Sequence, residues 1–196
     1  MTAEDKKVSL IVAMEANGGI GFQGGMPWKN VTELRHFRKA TQDSVLIIGS
    51  RTAESLIALH PALKGQVFTP QEQQVLKGRQ IIVVSSKEHV RDYVRLGLYV
   101  ERSLEEAIAK AHELRGDAPG QIYLAGGGQL YKEALEKDLI DAMLISFLVD
   151  DYPCDTFFPE FTRSEWDVSL MRTDRTFTVE LYTKRTDLNE PALYSS

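Results

Sequence analysis

The feature that most narrows the possible folds is a series of short, nearly unbroken apolar runs: VSLIVAM at 8–14, VLII at 45–48, QIIVV at 80–84, IYLA at 122–125 and MLISFLV at 143–149. A run with no polar face is a strand covered on both sides, the pattern of a parallel sheet. Between these runs the periodicity turns helical. Val31, Leu34 and Phe37 mark a helix over 31–40 with a buried stripe, and TAESLIAL at 52–59 and QLYKEALEK at 129–137 mark two more. Ser103 opens another through a Ser-x-x-Glu capping box with Glu106. Strands alternating with helices close by right-handed crossovers, giving an α/β fold: a mixed, mostly parallel central sheet with helices on both faces. Two later stretches, 166–171 and 177–184, alternate apolar and polar residues and predict an antiparallel C-terminal edge with one wetter face. Tyr99 and Val100 add a short strand, and KEHVRDYVR at 87–95 reads only as charged. The stretch 58–76, with Pro61, Gly65, Pro70 and the cluster QEQQ, reads as an excursion between a helix and a strand. Residues 1–186 are expected to form a single domain; from Arg185 the chain reads as leaving it, with 187–196 a loose tail.

At 196 residues the chain is long enough for one domain with a real core, and its net charge of −5 argues against a nucleic-acid or membrane-surface role. Its one cysteine, Cys154, forbids an intrachain disulfide and favours a reducing, cytoplasmic setting. MTAEDKK is not followed by the apolar segment of a signal peptide, and no apolar run approaches the ~18 residues of a membrane span. The four histidines share no metal-ligand spacing with one another or with Cys154, so they are expected at the surface and no metal is expected.

In a sheet of this kind ligands bind beyond the carboxyl ends of the strands, and the informative residues fall there. The first strand runs into GGIGFQGGMPWKNVTELRHF at 18–37, with five glycines between Gly18 and Gly25 and then Met26, Pro27 and Trp28. Glycine is conformationally permissive and unfavourable to order, so the loop reads as a mobile lid whose exit Pro27 stiffens. Glu33 carries two readings. Asn30 precedes it by three residues, the spacing of a helix cap. Alternatively, a lone carboxylate beside Trp28, Leu34 and Phe37 would have its pKa raised by desolvation and suit proton chemistry. Three strand ends, Gly49-Ser50-Arg51-Thr52, Ser85-Ser86-Lys87 and Gly126-Gly127-Gly128-Gln129, place small or polar residues before helical sequence. Each alone is an ordinary turn; together their unpaired N–H groups make a polyanion site that suits a dinucleotide. Arg79, after Gly78 at the mouth of the third strand, reads by itself as a surface arginine.

The run IGFQGGMPWKNVTELRHF resembles the signature of the dihydrofolate reductases, and VSLIVAM, VLIIGSRTAESL, KGRQIIVVSS, IYLAGGGQLY and CDTFFPEF follow in that family's order, from about Val8 to Lys184. The resemblance implies a dihydrofolate-reductase-like sheet, NADPH as cofactor, and reduction of 7,8-dihydrofolate to 5,6,7,8-tetrahydrofolate by hydride transfer to pterin C6 with protonation at N5. It implies that Met26 and Trp28 belong to a lid over the nicotinamide, and that Glu33 holds the pterin with support from Ser146. Ile11, Ala13, Ile20 and Tyr131 would surround the pterin and nicotinamide. Leu34, Phe37, Leu56 and Leu76 would line the path of the substrate tail, and Arg79 would pair bidentately with the tail's α-carboxylate. The cofactor would lie along Ala13, Ile20, Gly21, Gly49, Ser50, Arg51, Thr52, Ser85, Ser86, Lys87, Ala125, Gly126, Gly127, Gly128, Gln129, Leu130 and Tyr131. The Gly126–Gly127 peptide would be cis, and Asp155 would hydrogen-bond the lid. Antifolates are the expected inhibitors, and a cytoplasmic monomer the expected form.

The chain departs from the family where basic residues usually stand at the positions of Ser50 and Gln129, leaving Arg51, Ser86 and Lys87 to compensate at the adenosine phosphate. The 58–76 stretch looks like an insertion. Two rival readings are a same-fold reductase of another heterocycle, as in the riboflavin pathway, and a non-catalytic ligand-binding homologue. The Met-Pro-Trp lid, Glu33 and the Gly-Arg pair together favour folate over the first; Glu33, Trp28 and Arg79 together speak against the second.

Overall fold

A computed structural model of the chain describes residues 8–63, 65–86, 90–117 and 120–186. In chain order the elements are β1 (Val8–Met14), β2 (Gly19–Gly21), α1 (Val31–Ala40), β3 (Val45–Gly49), α2 (Ser50–Ala58), β4 (Gln80–Val84), α3 (Val90–Arg95) and β5 (Tyr99–Glu101). There follow α4 (Leu104–Arg115), β6 (Ile122–Leu124), α5 (Gly128–Glu136), β7 (Ile140–Leu148), β8 (Thr156–Phe157), β9 (Trp166–Thr173) and β10 (Phe177–Lys184).

Eight strands form one sheet in the order β5-β4-β3-β6-β1-β7-β10-β9. All neighbours from β5 to β7 are parallel, and β10 pairs antiparallel with both β7 and β9. This is the expected mostly parallel sheet with an antiparallel C-terminal edge. Because β6 lies between β1 and β3, the direction of winding reverses there, and a crevice opens at the carboxyl ends of those strands. The unbroken apolar runs divide their side chains between two faces. Leu10, Val12, Ile47, Ile82 and Leu124 pack with Leu104, Ala107 and Ile108 of α4 and with Leu130 and Ala134 of α5. On the opposite face Ile48, Ile81 and Val83 pack with Ala53 of α2, with Val75 and with Leu96 and Leu98. Val75 ties the end of the 58–76 stretch into this second core.

Several element bounds follow the sequence reading, those of β1, α1, β4 and β10 among them. At Ser103 the hydroxyl accepts the Glu106 N–H (3.2 Å), but Glu106 Oε2 accepts the Arg102 N–H (3.1 Å), so the return arm of the capping box reaches one residue further back. Other expectations need correction. Helix α2 starts at Ser50, and β7 starts at Ile140, where it already pairs with Val8. The charged stretch contains α3. Strand β9 is exposed on both faces after Trp166, because it is the outer strand of the antiparallel edge. Arg185 is anchored, its N–H donating to Glu165 O (2.9 Å) and its Nε to Asp167 (2.8 Å); the tail at 187–196 lies outside the described residues.

The main correction is in α1. The stripe Val31, Leu34, Phe37 is not its buried face: Val31 is 67 % and Leu34 36 % exposed. The inward face is Glu33, His36, Phe37 and Ala40, turned by about one residue around the helix. His36, expected at the surface, is half-buried with its ring 5.8 Å from that of Phe177. Hydrophobicity misreads the helix because a carboxylate occupies its innermost position.

Candidate active site

The glycine-rich loop folds back under β1, with Gly18 N–H donating to Glu15 O (2.9 Å) and Glu15 N–H to Gly19 O (2.9 Å). Its first part is β2, which pairs antiparallel with β8 through Gly19 and Phe157 and through Gly21 and Thr156. Asp155 Oδ2 accepts the Gln23 N–H at 2.8 Å, the contact that the family resemblance implied. A second tether was not foreseen: Ser55 Oγ of α2 donates to Gly24 O at 2.7 Å. The loop read as a mobile lid is thus held along one edge by β8 and at its tip by α2. Beneath it Glu15, 1 % exposed, accepts the Tyr152 N–H through Oε1. Burial first, and Glu15 next, push the Cys154 thiol pKa up, which keeps that sulfur protonated.

Met26 projects from the lid into solvent at the cleft, while Trp28 is buried against Leu148, Phe177 and Val179 with its ring 5.7 Å from that of Tyr152. Trp28 Nε1 is a buried donor with no acceptor among the described residues. Asn30 Oδ1 accepts the Glu33 N–H (2.9 Å), so Asn30 caps the helix and the Glu33 carboxylate is left for other work. That carboxylate, on a residue 6 % exposed, has the Ser146 hydroxyl as a neighbour. Burial raises its pKa above the ordinary carboxylate value, and the Ser146 hydroxyl opposes the rise. Ser146 pairs in register with Ala13 of β1. On the other side of β1, Tyr131 is buried and donates its hydroxyl to Ile11 O at 2.8 Å, which fixes the strand backbone; burial pushes its own pKa far up.

The crevice at the strand ends is a cavity of about 860 Å³. Of the expected cofactor residues it is lined by Ile20, Gly21, Gly49, Ser50, Arg51, Thr52, Ser85, Ser86, Gly127, Gly128, Gln129 and Leu130. Ala125 packs with the neighbouring core, Gly126 O accepts the Gly49 N–H (2.8 Å), and the Gly126–Gly127 peptide is cis, as the resemblance implied. Lys87 lies outside the described residues. Helices α2 and α5 both begin at this cavity, and neither N-cap, Gly49 or Gly127, carries a side-chain cap. Two uncapped N-termini facing one crevice fit the phosphates of a dinucleotide. Sequence reasoning missed Arg102, Ser55 and Thr156, which also line it. Arg102 was in plain view as the residue after β5 and before the Ser103 cap, the same strand-to-helix position that singled out the other three turns.

Arg79 is not the surface residue that its bare sequence context predicts. It is 8 % exposed, with Nε donating to Thr41 Oγ1 (2.9 Å), Nη1 to Lys77 O (2.8 Å) and Nη2 to Arg38 O. These three partners are neutral oxygens. Burial, then Arg38, lower the guanidinium pKa while Asp43 opposes them, so an incoming anion would be favoured. Leu56 and Leu76 are half-buried at the edge of the second core, and Leu34 is exposed on α1. No group of three or more metal-ligating side chains occurs among the described residues.

The family whose model matches residues 7–183 is described as Dihydrofolate reductase. The chain is 32 % identical over 177 residues to the dihydrofolate reductase of Aedes albopictus, covering 86 % of each chain. It is 29 % identical over 178 residues to that of Pneumocystis carinii, covering 83 % of this chain and 79 % of that one. The solved structure of the Enterococcus faecalis dihydrofolate reductase, complexed with NADP(H) and RAB-propyl, superposes with a TM-score of 0.67 at 25 % identity, over 92 % of this chain and 97 % of that one. A match that spans β1 to β10, on a sheet whose crevice is lined by the glycine-rich loop and the uncapped helix ends, places the chain in the dihydrofolate reductase family.

Proposed function

We propose the following division of labour for the NADPH-dependent reduction of 7,8-dihydrofolate to 5,6,7,8-tetrahydrofolate, the reaction of the family to which the chain belongs. When bound, NADPH supplies the hydride that reaches pterin C6. Glu33 holds the pterin by accepting hydrogen bonds from its ring N–H and amino groups, and its raised pKa favours the proton that N5 needs. Ser146 keeps the carboxylate in one orientation. Trp28 offers its buried Nε1–H to a water or ligand at the same end of the site. The uncapped starts of α2 and α5 hold the cofactor phosphates, with Arg51 and Arg102 supplying positive charge near the adenosine that Ser50 and Gln129 do not. Arg79 clamps the tail carboxylate of the substrate, since a guanidinium matches a carboxylate with two parallel hydrogen bonds. The lid excludes water and keeps donor and acceptor carbons in contact, a major contribution to rate in such a site.

The observation that carries this reading is the Glu33 carboxylate: buried on the helix that follows the glycine-rich loop, and raised in pKa by that burial. Antifolates are proposed to compete at the Glu33 end. The chain is proposed to act as a cytoplasmic monomer without nucleic-acid or membrane partners, in keeping with its acidic charge and single cysteine. The test is NADPH oxidation with dihydrofolate by wild type and Glu33→Gln. The variant is expected to bind NADPH normally and to lose about 10²-fold or more in turnover at neutral pH. Unchanged turnover would remove Glu33 from its role.

A further inference from the structure

Gln73 lies in the 58–76 stretch, is 3 % exposed, and commits its amide to the backbone around Arg79. Its Nε2 donates to Leu76 O (2.7 Å) and to Arg79 O (2.8 Å), and its Oε1 accepts the Leu76 N–H (3.1 Å). Between those anchor points run Lys77 and Gly78. Lys77 O is itself an acceptor for the Arg79 guanidinium (2.8 Å). Gly78 holds φ +81°, a conformation side chains rarely adopt, and its carbonyl accepts the Asp43 N–H (3.0 Å). The turn beneath the guanidinium is therefore fixed from two sides. Arg38, Thr41 and Asp43, at and after the end of α1, hold one side; Gln73 holds the other.

We propose that Gln73 is a positioning residue for the substrate-tail clamp, fixing the 76–79 turn so that Arg79 presents its remaining N–H donors in a single orientation. The inference rests on the reading of Arg79 as the partner of the tail carboxylate. Three of the five guanidinium N–H groups are engaged by Thr41, Lys77 and Arg38, leaving two for a ligand. Bidentate pairing needs both donors aligned with the carboxylate oxygens, and a displacement of about 1 Å is enough to lose much of it. If the Gln73 amide is removed, the Leu76 and Arg79 carbonyls and the Leu76 N–H lose their partners, and the turn that carries the Lys77 acceptor is free to shift. The 58–76 stretch is then part of the substrate site. Its outer portion is itself docked on the domain, with Phe68 N–H donating to Arg95 O at 2.7 Å and Val75 buried in the second core.

Because Gln73 acts only through Arg79, its loss should affect substrates according to whether they carry the tail. The experiment compares Gln73→Met, which keeps length without polar atoms, and Gln73→Ser, which leaves room for water, with wild type and Arg79→Lys. Each is assayed with NADPH and either dihydrofolate or 6-methyl-7,8-dihydropterin, which has the ring but no aminobenzoylglutamate. The expected result is a KM for dihydrofolate raised about tenfold, kcat within about twofold, and unchanged constants for the tail-less pterin. If the Gln73 variants lose activity with both substrates alike, through misfolding or otherwise, Gln73 is a structural residue and the inference is overturned. It is also overturned if Arg79→Lys raises the KM for dihydrofolate and the Gln73 variants do not. If Arg79→Lys itself leaves that KM unchanged, the tail-clamp reading fails first, and the inference falls with it.

Discussion

Replacing Gly19 by alanine adds one carbon where the lid, β8 and the end of β1 meet. A Cβ at that position lies 2.6 Å from Cys154 Sγ, 2.6 Å from Glu15 Oε2 and 2.8 Å from Cys154 Cβ. Non-bonded carbon contacts settle near 3.5 to 4.0 Å, so the neighbours must give way by roughly 1 Å. They have little room to do so. Glu15 is buried with Oε1 on the Tyr152 N–H, and Cys154 is followed directly by Asp155, whose carboxylate holds the Gln23 N–H. The clash is relieved most readily by lifting β2 from β8. Overpacking of this kind costs about 1–3 kcal/mol, and a chain of this size loses about 2–4 °C in Tm per kcal/mol, so a fall of roughly 2–12 °C is expected. Gly25→Ala is the control in the same loop: its nearest neighbour, Phe22 O, lies 3.9 Å from the added Cβ, an ordinary contact. Its Tm should change by no more than about 1 °C. Thermal unfolding without ligands, read beside NADPH oxidation, separates the two variants. Adding Cys154→Gly to Gly19→Ala removes two of the three clashing atoms and should restore stability with a coupling above about 0.5 kcal/mol. If Gly19→Ala matches Gly25→Ala in both assays, the idea that the lid is wedged against the Glu15 and Cys154 side chains is refuted.

Glu33→Gln carries a pH signature besides its loss of turnover. The native state binds the Glu33 proton more tightly than the unfolded chain, so stability falls as pH rises from the ordinary carboxylate value through the raised one and stays lowered above it. Glutamine removes that fall, so the difference in Tm between variant and wild type should grow from pH 4 to pH 8; a difference independent of pH would contradict the buried carboxylate. Arg102→Ala should raise the KM for NADPH by about fivefold to tenfold and leave that for NADH unchanged, since an exposed cation contributes on the order of 1 kcal/mol to a phosphate contact. Equal effects on both cofactors would deny it a role at the 2′-phosphate. Thr41→Val removes the acceptor for Arg79 Nε and the donor to Phe37 O at a fully buried site, with an expected loss of about 1–3 kcal/mol in stability measured by denaturant titration and a higher KM for dihydrofolate. A variant as stable as wild type would show that Arg79 does not depend on that hydroxyl.

The proposed cofactor and substrate regions were unequally legible in the sequence. The dinucleotide end is built locally: Gly49, Ser85 and Gly127 each follow a strand and precede a helix or helix-like turn, so the chemistry is written in consecutive residues. The proposed substrate region is built from distant ones. Nothing in the neighbourhood of Arg79 names Thr41 or Arg38 as its partners, and Gln73 sat in a stretch that reads only as an excursion between a helix and a strand. Strands β2 and β8, of three and two residues, are too short to carry a period, so the lid's pairing was invisible where that of β1 and β10 was plain. The face of α1 was misjudged for a related reason: apolar periodicity finds the side that protein covers, and at Glu33 the covered side is polar.

The exposed outer stripe of α1 bears on how this protein can evolve. Val31, and to a lesser degree Leu34, give the core less than a buried residue does, because a side chain left partly in water contributes only part of the about 1.5–3 kcal/mol that full burial of such a group provides. Their replacement therefore leaves folding close to where it was, while, on the proposed reading of Leu34 as part of the substrate path, the site changes shape. Glu33 and Ile11, inside, have no such freedom. Variants selected against an antifolate are thus expected to accumulate along the outside of this helix before the interior yields, and sequencing of survivors from an unbiased library would show whether the stripe is where tolerance and drug pressure meet.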